Sequence, residues 1–232
     1  MISAENRNRL LIKFMDEKYV DSFLNEGLLY MNNIHFFRTY EDREVALRGD
    51  THEGLEASLL PEEITLQIGN QVITGATGKI DIRQCHHDET NIYSLTVVSD
   101  QDILSAGEAG LYLPRDFERF GNKAVYIGGN DINEFWARLK TTYTSDPSIY
   151  ALEKDNIIAR KIKYVDRNKH HLQLGVFSKF NEYAWQLEWR IALKQITSKG
   201  PLLLKIGSIA DIAHVMNTKD LLETAIKFHK HH

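Results

Sequence analysis

Cross-linking sulfur is nearly missing from this chain. Among 232 residues there is one cysteine, Cys85, so no internal disulfide can form. That fits a reducing compartment, and a cytoplasmic location is the expectation. Proline is scarce, at four residues, and no Ser/Gly-rich tract occurs, which argues against a flexible linker. One domain spanning 1–232 is expected. No apolar run approaches the roughly 18 residues that a membrane-spanning helix requires. Met1–Arg9 lacks the apolar stretch of a signal peptide, so no membrane partner is expected. An excess of either charge is missing too. The 28 Lys and Arg nearly balance the 32 Asp and Glu, leaving −4, which gives no global basic footprint for nucleic acid. The 43% apolar content is ordinary for a globular protein and ample for a core.

Local patterns give a provisional order of elements. Leu10–Phe14 reads as a short buried strand. Asp16 can cap a helix carrying Tyr19, Val20, Phe23 and Leu24 on one face and stopped by Gly27. Leu28–Met31 is a second strand, followed by the aromatic segment Asn32–Tyr40. A charged loop covers Glu41–Glu53. Ile64–Thr74 alternates on both sides of Gly69-Asn70, the signature of a hairpin with a two-residue turn. Lys79–Arg83, Ile92–Val98, Ala124–Ile127 and Ile157–Tyr164 read as strands, and Pro201–Ile206 as a buried strand. Asp131 opens a helix with Glu134 in capping-box spacing, and Asp220–Phe228 a terminal amphipathic helix. Seven to nine strands and three or four helices, not regularly interleaved, make the fold α+β with mixed or antiparallel sheets.

The densest chemistry lies in Glu182-Tyr-Ala-Trp-Gln-Leu-Glu-Trp-Arg-Ile-Ala-Leu193. Read as a strand, it puts Trp185, Leu187, Trp189, Ile191 and Leu193 on one face and Gln186, Glu188 and Arg190 on the other. Such a polar row is either a solvated outer face or a site presenting an amide and a carboxylate to one ligand. Arg190 pairs most naturally with a neighbouring carboxylate. Cys85-His-His-Asp88 is contiguous, which suits tetrahedral metal geometry poorly, and no metal site is expected there. The basic run Lys161 to His171 reads as a strand edge or as a contact for a phosphate-bearing partner. Asp42, Asp50 and Glu53 are carboxylates whose spacing matches no Mg²⁺ motif.

Three segments together carry a resemblance. They are Leu11-Ile-Lys-Phe14 through Gly27, with Leu29-Tyr-Met-Asn32, Phe36-Phe37 and Arg48-Gly-Asp…Glu53-Gly54; Asn91-Ile-Tyr-Ser-Leu-Thr96; and Lys179–Arg190. This arrangement resembles a little-characterised bacterial and phage family of unknown function. It is similar, more distantly, to ADP-ribosyltransferases, including toxins of anti-phage systems. That pattern has a basic residue on the first strand, Ser-x-Thr on a middle strand and Gln/Glu-x-Glu near the end. Ser94-Leu-Thr96 and Gln186-Leu-Glu188 match the last two. Where the family has arginine or histidine, this chain has Lys13, with Arg9 as the alternative.

The resemblance implies an ADP-ribosyltransferase-like fold and a mono-ADP-ribosyltransferase with NAD as substrate, acting as a toxin or phage-defence effector on protein or nucleic acid, with an antitoxin as partner. It implies Glu188 as the carboxylate that stabilises an oxocarbenium-like transition state and Gln186 as the group orienting the acceptor. Lys13 or Arg9 would hold pyrophosphate, Tyr30, Phe36 or Phe37 would stack on nicotinamide, and Ser94 would brace the site. A non-catalytic binding module of the same architecture, in defence or counter-defence, is the alternative.

Overall fold

The computed structural model of the protein describes residues 7–40, 49–75, 77–152, 157–196 and 199–229. Among them are fifteen strands and five α-helices, an α+β arrangement with more elements than the sequence pattern resolves. The first strand, β1 (Asn8–Met15), feeds a single 3-10 turn and α1 (Val20–Glu26). Gly27 stops α1 in the left-handed conformation at φ 59°. A Cβ there would lie 2.1 Å from the Gly207 carbonyl oxygen, so only glycine fits. β2 (Leu28–Asn33) follows. The aromatic segment after it is a helix, α2 (Ile34–Thr39), because the Asn33 side chain caps it by accepting from the Phe36 N–H.

The middle of the chain holds β3 (Leu55–Leu59), β4 (Leu66–Ile68), β5 (Gln71–Ile73), β6 (Ile80–Arg83) and β7 (Asn91–Ser99). β4 and β5 form the expected hairpin around Gly69-Asn70. After β7 come α3 (Asp100–Ser105), β8 (Lys123–Gly128) and α4 (Asp131–Ser145). α4 starts where expected, but Glu134 is drawn to Arg138 at 2.9 Å, and no side chain caps the helix.

The last third contributes β9 (Ile149–Ala151), β10 (Ala159–Lys161), β11 (Lys163–Val165), β12 (Ser178–Phe180), β13 (Glu188–Gln195), β14 (Leu202–Lys205), β15 (Ala213–Asn217) and α5 (Thr218–Leu222). Three expectations fail here for identifiable reasons. Ile157–Tyr164 is not one strand. At Ile162 the chain leaves β13 for β12, and the Lys163 N–H donates to the Phe177 carbonyl. Pro201–Ile206 is half-buried, with Leu202 and Leu204 inward and Leu203 and Lys205 outward. The terminal helix ends at Leu222 because the chain turns to pair Ile226 with Leu111.

Strands β10-β13-β7-β1-β8-β15 form the spine of a nine-stranded sheet, joined by β9 beside β13 and by β2 with β14 beside β7. Every pairing in it is antiparallel. Alternation along the strands divides the side chains. One face is largely apolar: Leu11, Leu95, Val97, Trp189, Ile191 and Leu193 pack with Phe135 and Leu139 of α4. At roughly 1.5–3 kcal/mol per buried side chain, this layer anchors β7 and β13. The opposite face is apolar only at its ends. Ile12, Phe14 and Val98 lie at one end, and Ile34, Ile92 and Ala192 at the other. Between them stand Ser94 and Thr96 of β7 and Glu188 and Arg190 of β13.

Candidate functional site

The segment before β13 sets the geometry. Asn181–Gln186 is a 3-10 helix, not a strand, and it ends at Leu187 with φ 46°. Leu187 is the one non-glycine residue with positive φ among the described residues. Leucine rarely adopts that conformation, so the turn is held by its surroundings. The Leu187 carbonyl accepts from the Val97 N–H at 2.7 Å, and the Leu187 side chain, like Trp185, packs in the Phe117 cluster. The single apolar face expected for Trp185 through Leu193 is therefore broken at Leu187. Trp189, Ile191 and Leu193 face the other layer.

Glu188 opens β13 opposite Thr96 and is 4% exposed. Arg190 Nε stands 2.7 Å from one carboxylate oxygen and Lys179 Nζ 2.9 Å from the other. The Ser94 hydroxyl donates to the oxygen shared with Arg190, and the Glu188 N–H donates to the Tyr164 hydroxyl at 2.9 Å. Arg190 also forks onto Glu53 at 2.6 and 3.1 Å and donates to the Val176 carbonyl. Lys179 is 3.7 Å from Glu53 and donates to the Gln186 side-chain oxygen at 3.1 Å. Two carboxylates are thus matched by two cations inside the protein. A buried charge without partners would cost far more than its packing returns.

Protonation follows from these contacts. Burial alone would raise the Glu188 carboxyl, but the charges of Arg190 and Lys179, with hydrogen bonds from Arg190 and Ser94, hold it far below the usual carboxylate range. Burial would likewise lower Arg190, and Glu188 and Glu53 reverse that and raise it. Asp50 behaves differently. It is 2% exposed and accepts from the His52 N–H at 2.8 Å. Burial, then repulsion from Glu53, pushes its carboxyl up to about 6.

Of the residues singled out in the sequence, Ser94, Gln186 and Glu188 come together. Lys13 and Arg9 do not join them. Ile12 pairs with Thr96, and Thr96 pairs with Glu188, so these three share a face, and Lys13 projects from the other. Lys13 Nζ donates to the Ser94 backbone carbonyl and sits 4.1 Å from the centre of the Tyr93 ring. Arg9 forms a two-pronged pair with Asp100 at 2.7 and 2.9 Å, 5.4 Å from the Phe228 ring. Tyr30 is half-exposed on β2 across from Leu203. Phe37 packs on the Ile34–Ile92 cluster, edge-on to Phe36.

Sequence reasoning missed Lys179 and Tyr164 as members of this cluster, and Glu53 as the second carboxylate on Arg190. Lys179 begins the segment that carried the resemblance, and Glu53 lies in the Asp50…Glu53-Gly54 stretch quoted with it. The pocket beside Asp50, Lys179 and Phe180 has about 10 Å³, room for roughly one water.

Other candidates disperse. Cys85 is exposed, while Asp88 pairs with Arg38. Among the described residues no three His, Cys, Asp or Glu side chains are grouped to hold a metal. Asp42 and Arg48 lie outside the described residues. In the basic run, Arg167 pairs with Glu182 at 3.0 Å. No helix among the described residues is long and apolar enough to cross a membrane. Comparison with protein-family models, with curated proteins and with solved structures gave no match.

Proposed function

We propose that the chain is a non-catalytic binding module built on an ADP-ribosyltransferase-like scaffold. The observation that carries this reading is the state of Glu188. Both carboxylate oxygens are taken by Arg190, Lys179 and Ser94, and the cations expected on β1 sit on the other face or on Asp100. A carboxylate that stabilises an oxocarbenium ion must reach the substrate, and a dinucleotide needs a cleft of several hundred Å³. The roughly 10 Å³ beside Lys179 is far short of that.

A transferase is the second reading, and one observation favours it. Ser94 of β7 converges with Gln186 and Glu188, and Leu187, one residue before Glu188, holds a strained conformation of the kind that gathers at active sites. Nicotinamide release from NAD by the wild-type chain and by Glu188→Gln separates the two. The binding reading expects no release above background from either. Release by wild type that is lost in Glu188→Gln establishes the transferase.

A further inference from the structure

Segment 173–180 has the ionic cluster against one side. Residues 173–176 line a cleft of about 270 Å³, and Leu174 lines both this cleft and the small pocket beside Lys179. Leu152, Leu174 and Val176 give the cleft apolar walls, and Glu56, Gln173 and His87 give it polar groups. The side chain of Glu56 is 31% exposed and has no lysine or arginine partner among the described residues. The His87 ring nitrogen Nδ1 lies 3.7 Å from Glu56 Oε2, too far for a hydrogen bond, and is buried with no hydrogen-bond partner among the described residues. Burial, then the neighbouring His86, lowers the His87 pKa, so the ring does not neutralise Glu56 at neutral pH.

Among the described residues, a carboxylate without a cationic partner, a buried nitrogen without a hydrogen-bond partner and apolar walls therefore share one concavity. We propose that this cleft binds a small organic cation, an amine or guanidinium on a short aliphatic stem, with its head on Glu56 and its stem against Leu152, Leu174 and Val176. The assignment gives the binding reading above a ligand class and rests on it. A charge-assisted hydrogen bond to Glu56 supplies the strongest contact. A donor seated between Glu56 and His87 would satisfy both, and the Gln173 side-chain carbonyl can accept another N–H. The volume lies just below the roughly 300 Å³ at which ligand pockets usually begin, so the ligand is compact.

The test is calorimetric titration of the full chain, near neutral pH and at low salt, with agmatine, n-butanol and butyrate. Agmatine should bind, and the neutral and anionic probes should not. Glu56→Gln should weaken agmatine binding by roughly tenfold or more, while Glu63→Gln, outside the cleft, leaves it unchanged. Both variants should melt like wild type. No agmatine binding up to about 10 mM, equal binding to Glu56→Gln, or equal binding of butanol overturns the assignment. Its failure is separable from failure of the binding reading. A null titration with no nicotinamide release removes only the ligand class, whereas Glu188-dependent release removes the binding reading.

Discussion

Two polar sites border segment 173–180, and they resolve the same physical problem in opposite ways. In the cluster around Glu188, two carboxylates face two cations, and the hydroxyl and carbonyl groups nearby take the remaining hydrogen-bonding positions. In the cleft around Glu56, among the described residues, the carboxylate has no lysine or arginine partner and His87 Nδ1 no hydrogen-bond partner. The first site carries the motif that looks catalytic in the sequence, and the pocket beside its Lys179 has about 10 Å³. The second carries no motif and has the room. Completed pairing marks a group that the fold itself uses. A polar group left incomplete at an opening marks one that a ligand can use.

The largest expected effect lies in the closed site. Arg190→Ala strips the shared cation from Glu53 and Glu188 and should cost about 3–5 kcal/mol, lowering the melting temperature by roughly 10 °C in a thermal scan. A change under about 1 kcal/mol would mean that the cluster is loosely held and that the contrast is false.

Asp50 gives a smaller effect of opposite sign. Its folded carboxyl titrates near 6, above the unfolded value of about 3.9. The folded state therefore binds this proton more tightly, and its stabilising effect is lost as pH rises from about 4 through 6. Asp50→Asn keeps an acceptor for the His52 N–H and removes the buried charge. It should be more stable than wild type by about 2 kcal/mol above pH 7 and indistinguishable from it below about pH 4, measured by denaturant unfolding across pH.

Lys13→Met should cost only about 1 kcal/mol, because Nζ loses the Ser94 carbonyl and the Tyr93 ring. It should leave the Glu188 cluster intact. Smallest of all, Glu56→Gln should change stability by less than about 0.5 kcal/mol. A large loss there would show that Glu56, like Glu188, is already committed to the fold.

Much of this architecture is legible where one local rule dominates. β1, α1 with its Gly27 stop, the Gly69-Asn70 hairpin, β7, β8 and α4 follow from periodicity and turn chemistry. Glu182–Leu187 misleads because alternating aromatic and aliphatic residues fit a 3-10 turn as well as a strand. Nothing in a leucine signals φ 46°. The contact between Ser94 and Glu188 was foreshadowed by motif order, but motif order carries no information on which sheet face Lys13 occupies. That depends on the register of Ile12 with Thr96, which is a tertiary fact. Glu53, Tyr164 and Lys179 reach the cluster from three segments distant in sequence from Glu188 or from one another, so only the folded chain brings them together.

The most direct test combines two readings on one variant, Glu188→Gln: its unfolding free energy and its release of nicotinamide from NAD, each beside wild type. The structural role assigned to Glu188 predicts a loss of about 3 kcal/mol and no release from either protein. Unchanged stability together with release that vanishes in the variant would contradict it.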